Sequence, residues 1–196
     1  MKSVPIFRLS ALAVIFLFAV SGSLLKAKDK TLSIAATTTM VADLAESVAG
    51  EYATVTGLMG PGVDPHLYKA TASDINTLQS ADLILYNGLH LEGRLADIQV
   101  KMGRRGKLVY AVTESIPEDK LLEPEEFQGH YDPHVWFDPR LWALCVDTVV
   151  AALSKTDPIH DSEFEKRGES VRATYLSYYK WGQKYMAQVK PKERFL

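Results

Sequence analysis

Thr31-Leu-Ser-Ile-Ala-Ala36, followed at once by Thr37-Thr-Thr39 and then by Met40, Val41, Leu44 and Val48 up to Gly50, sets the pattern for the whole chain. The first run reads as a short strand. The threonine hydroxyls suit a helix N-cap, the apolar residues after them recur at helical spacing, and Gly50 is a helix stop. The unit then repeats. Ala53-Thr-Val-Thr-Gly-Leu-Met59 is a second strand, and Thr71-Ala-Ser-Asp74 resembles a capping box that opens a helix through Ile75 and Leu78. Asp82-Leu-Ile-Leu-Tyr86 is a third strand, a helix over 92–103 follows, and Lys107-Leu-Val-Tyr-Ala-Val112 is a fourth. Four alternations of strand and helix predict βαβ units: an α/β fold with a four-stranded parallel sheet and flanking helices.

Residues 113–133 read as loop, with Pro117, Pro124, Pro133 and a cluster of acids. Asp138-Pro139 places an N-cap before a proline at the first helical position, and that helix should run to about Leu153 and bury Cys145 in its apolar face. Ser162-x-x-Glu165 reads as another capping box. After it Phe164, Val171, Tyr175, Tyr178, Tyr179, Met186 and Val189 form an aromatic-rich stripe interrupted by Gly168 and Gly182. Helical to Lys190 and stopped by Pro191, this segment would be about 42 Å long, a spine packed along the sheet domain. Phe195-Leu196 reads as the start of another strand.

The 196 residues hold 24 acidic and 22 basic side chains, with an isoelectric point near 6.2. That balance excludes the basic stripe on which nucleic-acid binding depends. One cysteine excludes a disulfide within the chain. At the front, Lys2 and Arg8 precede the apolar run Ala11–Val20, and small residues follow at Ser21, Gly22, Ser23 and Ala27. This is the three-part layout of a secretory signal over residues 1–27, and the run is shorter than the roughly 18–20 residues of a spanning helix. The expectation is an exported, periplasmic protein, with an uncleaved signal acting as membrane anchor as the alternative. Without Lys2, Arg8 and Lys26 there remain 19 basic and 24 acidic groups, a net charge of −5. No cysteine stands just after the apolar run, Cys145 lying far downstream, so this reading excludes a lipoprotein anchor.

The strongest chemical signal is a repeated tripeptide, Asp64-Pro65-His66 and Asp132-Pro133-His134. Each proline fixes its own φ and keeps the preceding aspartate extended, so each imidazole is presented from stiff backbone. One copy follows the second strand through Gly60-Pro61-Gly62 and the other follows the loop after the fourth, so both should leave the carboxyl edge of one sheet, where open α/β sheets bind ligands. Two converging imidazoles begin a site for zinc, manganese or iron. His66 and His134 are therefore the candidate metal ligands, with Asp64 and Asp132 as carboxylates that orient the rings from behind. Glu92 is a further candidate for such support. His130 is a weaker ligand candidate on a loop; His90, in Asn87-Gly88-Leu89-His90-Leu91-Glu92, reads as a rim residue, and His160 as surface. Trp136, Phe137 and Trp142 could wall the site.

At these residues the chain resembles the zinc- and manganese-binding solute-binding proteins of ABC importers, in particular their TroA-like branch. The resemblance is carried by Gly57-Leu-Met-Gly-Pro-Gly-Val-Asp-Pro-His-Leu-Tyr68, Ala81-Asp-Leu-Ile-Leu-Tyr-Asn-Gly-Leu-His-Leu-Glu92 and Asp132-Pro-His-Val-Trp-Phe-Asp138, within a match from about residue 31 to the end. It implies two α/β lobes joined by a rigid helix, a divalent metal held between them as cargo, and delivery to a membrane permease by a monomeric, non-enzymatic receptor. It also implies His66 and His134 as the first two ligands, with a histidine or glutamate and then an aspartate from a second lobe missing here. The expected division is a signal at 1–27, a metal-binding lobe at 28–157, a linking helix at 158–191, and the start of a truncated lobe at 192–196. Lys69 departs from relatives that carry an acid there, and a histidine-poor 113–131 segment leans toward manganese or iron, or toward a site that accepts zinc and manganese. Two other functions compete: a surface adhesion or scaffold protein with an idle site, and a zinc hydrolase, for which no His-Glu-x-x-His pair exists.

Overall fold

The computed structural model describes residues 31–127 and 129–194. The leader expected at 1–27 and the strand start expected at Phe195-Leu196 lie outside these. Four strands, β1 (Leu32–Ala36), β2 (Ala53–Gly57), β3 (Leu83–Tyr86) and β4 (Leu108–Ala111), form one sheet in the order β2-β1-β3-β4. Every pairing is parallel; Ile34 faces Val55 on one side and Leu83 on the other, and Leu83 faces Leu108. The expected α/β sheet is therefore present. From β1 the chain goes first to one side and then, through β3, to the other, so the loops diverge above β1 and β3 and leave a crevice there.

The helices form where local chemistry starts them. Helix α1 (Thr39–Ala49) is capped by the Thr38 hydroxyl, which accepts from Val41 N, and it ends at Gly50 with φ 57°. Helix α2 (Ala72–Ser80) has the full reciprocal box: the Thr71 hydroxyl accepts from Asp74 N, and the Asp74 carboxylate accepts from Thr71 N at 2.6 Å. Helix α3 (Leu95–Arg104) begins later than the sequence suggests, because residues 89–94 are spent on a turn. Helix α4 (Pro139–Thr156) starts at the Asp138 cap as expected and outlasts Leu153 by three residues.

Apolar burial puts α1 and α4 on one face of the sheet, where Ile34, Ala36, Leu83 and Leu85 meet Val41, Leu44, Trp142, Val146 and Val149. The other face is smaller: Ala35 and Ile84 meet Leu78, Leu95 and Met102. Cys145 is fully buried in the larger core. Helix α5 (Asp161–Met186) differs from its expected form in three ways. It starts at Asp161, leaving Ser162 inside the helix with no capping bond, it ends before Lys190, and its 26 residues span about 39 Å. It packs along the sheet domain as expected, through α4 and α1. Of the expected stripe Phe164 is buried, while Tyr178 and Met186 face solvent. No helix among the described residues is long and apolar enough to cross a membrane.

Candidate metal centre

The carboxyl edge of the sheet is tied together by one buried polar network. Thr37, at the end of β1, donates its hydroxyl to Glu92 at 2.8 Å, and the amides of Asn87 and Gly88, at the end of β3, donate to the same carboxylate at 2.5 and 3.2 Å. The Thr113 hydroxyl, past β4, donates to the Asn87 carbonyl at 2.7 Å. The Asn87 side chain in turn donates to the Pro133 carbonyl at 3.0 Å, which fixes the second tripeptide to the sheet. Glu92 is almost completely buried. Burial holds its carboxyl above the usual carboxylate range, against the lowering effect of the three donors. Its bonds go to none of the imidazoles, so its support of the centre runs through Asn87 and Pro133.

The two tripeptides meet above this network. His66 Nε2 and His134 Nε2 lie 3.3 Å apart, with ring centroids at 5.4 Å. Their surroundings differ. His134 Nδ1 lies 2.6 Å from Asp132 Oδ1, which also accepts from the His134 amide. With the ring proton on Nδ1 facing that carboxylate, Nε2 presents its lone pair outward. Asp64 Oδ1 accepts only from the His66 amide, at 2.9 Å, so it shapes backbone and leaves the ring alone. His66 is exposed; its loop is braced two residues on, where Tyr68 donates to Asp74 at 2.7 Å and burial, with that bond, pushes the Tyr68 phenol up to about 12.

Aromatic rings stand round His134: Trp136 at 5.2 Å and Phe127 at 6.1 Å between centroids. Of the expected wall only Trp136 takes this position. Phe137 is 78% exposed, and Trp142 belongs to the core. An open cleft of about 810 Å³ adjoins the ring, lined among others by Asp132, Arg140, Leu144 and Leu176. His130 is not brought to the pair; its ring lies 4.7 Å from that of His90. His160, expected on the surface, is half-buried instead, with Nδ1 2.6 Å from Asp157 and its ring 4.2 Å from Tyr52. Sequence reading missed Asn87, Thr113 and Phe127. The Asn-Gly pair after an apolar strand was the available signal for Asn87, while Thr37 passed as one of three capping hydroxyls.

Among the described residues no third histidine, cysteine, aspartate or glutamate joins the pair in a metal-holding group. What could hold a metal is a pair of imidazoles at the open edge of an α/β lobe. The chain belongs to the family described as zinc-uptake complex component A, periplasmic (ZnuA), whose model it matches over residues 34–196. Members of this family are solute-binding proteins. The chain is 44% identical over 171 residues to the manganese-binding lipoprotein MntA of Bacillus subtilis, covering 87% of this chain and 55% of that protein. It is 44% identical over 151 residues to the zinc-binding protein TroA of Treponema pallidum, covering 77% and 48%. The solved structure of that periplasmic zinc-binding TroA superposes with a TM-score of 0.77 at 39% identity, over 82% of this chain and 57% of the other. The chain thus spans about half the length of these relatives. Several relatives are named as lipoproteins, which suggests export and leaves the exclusion of a lipid anchor unsupported.

Proposed function

We propose that the chain is the metal-capturing part of an exported solute-binding protein that takes up a divalent transition metal, zinc or manganese with iron as a further candidate, and passes it to an ABC importer permease. In this reading residues 28–157 form the capturing lobe, 158–191 the linking helix, and the protein acts as a monomer without enzymatic turnover. One observation carries it: the 3.3 Å separation of the two Nε2 atoms. Two nitrogens bound to one tetrahedral metal at about 2.0–2.1 Å are themselves about 3.3–3.4 Å apart, and the matching spacing supports His66 and His134 as ligands. Asp132 supports it by holding the His134 ring through Nδ1 so that Nε2 faces outward. Relatives named for manganese and for zinc both support a site of this class.

Calorimetric titration of the purified chain with zinc and with manganese tests the assignment. His66→Ala combined with His134→Ala should weaken the tightest binding event by about tenfold or more, the scale at which loss of a supporting group alone already acts. Tight binding that survives the double substitution would overturn it.

A further inference from the structure

A second imidazole pair stands on the same edge. His90, in the loop after β3, and His130, in the segment leading to the second tripeptide, have ring centroids 4.7 Å apart at 56°. Both residues are exposed, so burial of apolar surface does not account for their meeting. The backbone is bent to present one of them: Leu89 and His90 take left-handed φ values of 52° and 63°, a region that a leucine seldom enters. The turn is held in that shape by Leu91 N donating to the Gly88 carbonyl and by Glu92 accepting from the Asn87 and Gly88 amides.

We propose that His90 and His130 form a second, outer site for a zinc-class divalent metal, held by two imidazoles and completed by water. Rings that share a metal at about 2.0–2.1 Å have centres on the order of 5 Å apart, and both pairs in this molecule are spaced so, at 4.7 and 5.4 Å. An acid lies near the backbone that carries His130: a side chain built on the preceding Gly129 would lie 3.8 Å from the Glu123 carboxylate. Among the described residues neither outer ring has a carboxylate bonded to it as His134 does, so the outer site is the weaker. It lies beside the inner one. A Cβ on Gly93 would come within 2.8 Å of the His66 carbonyl oxygen, and Phe127, whose carbonyl accepts from His130 N at 3.0 Å, turns its ring toward His134.

Zinc titration of the full chain, with far-UV circular dichroism as the check on folding, should show two binding events. His90→Ala with His130→Ala should remove the weaker and keep the tighter. In the His66→Ala, His134→Ala chain, zinc should still shift the ring resonances of His90 and His130 in NMR spectra. A single event in the wild-type chain, a weaker event that persists without His90 and His130, or unshifted resonances would overturn the outer site. Loss or survival of the tighter event bears only on the inner pair, so the two readings fail separately.

Discussion

His134 and His66 come from identical tripeptides, yet only one is gripped through its ring. Asp132 reaches Nδ1 of His134, and Asp64 stops at a backbone amide. Asp132→Asn should therefore lower metal affinity about 10–100-fold, while Asp64→Asn changes it little; parallel zinc titrations check the contrast, and equal losses would remove the distinction. Behind the two imidazoles, Glu92→Ala would strand three buried donors, at roughly 1–3 kcal/mol each, so a loss of about 3 kcal/mol or more in urea denaturation is expected. The tripeptides were legible because proline stiffens its own neighbourhood, a local effect. The Thr37–Glu92 bond was not, since its partners lie 55 positions apart and meet only once the sheet forms. His160 misled in part for the same reason: Asp157 is close in sequence, but nothing near it announces Tyr52.

At the scale of elements, the two glycines of α5 have opposite surroundings. A Cβ on Gly168 would meet Val150 Cγ2 at 2.4 Å, whereas one on Gly182 meets nothing within 4 Å. Gly168→Ala should destabilise by about 1–3 kcal/mol through overpacking against α4. Gly182→Ala should stabilise by about 0.5–1 kcal/mol through helix propensity. Thermal melts of both variants test the pair. The start of α4 carries a pH dependence. The Arg140 side chain, bonded to Asp138, holds that carboxyl below the ordinary range despite partial burial. A depressed folded-state value means the contribution is fully present above the unfolded pKa of about 3.9 and is lost as pH falls through the lower folded value. The stability gap between wild type and Asp138→Asn should accordingly be open at neutral pH and close below about pH 4. Asp138-Pro139 announced its helix because cap and first turn are contiguous. The start of α5 was misread because a Ser-x-x-Glu pattern one residue inside a helix looks the same in sequence as one at its start.

Across the whole molecule, alternation of strands and helices was enough to predict parallel pairing, but the order β2-β1-β3-β4 was not written in any one segment. It follows from which helices cover which face, a property of the assembled core. Phe164 of α5 and the β1 strand share that core, so the long helix and the sheet should unfold together, with circular dichroism and the fluorescence of buried Trp142 tracing one transition in denaturant. Zinc at about 100 times its dissociation constant should add about 2.7 kcal/mol to that transition, and most of the gain should vanish without His66 and His134.

Under the proposed metal-capturing role, the unequal hold on the two inner imidazoles sets how the lobe accepts and gives up its cargo. His134 is fixed by Asp132 and bordered by Trp136 and Phe127, whereas the His66 Nδ1 has no partner among the described residues. Ring relaxation measured by NMR should change on loading at His66 and scarcely at His134. Capture then sacrifices the rotamer freedom of one side chain, on the order of 1 kcal/mol of conformational entropy, instead of two, and release begins with the imidazole that has freedom to regain.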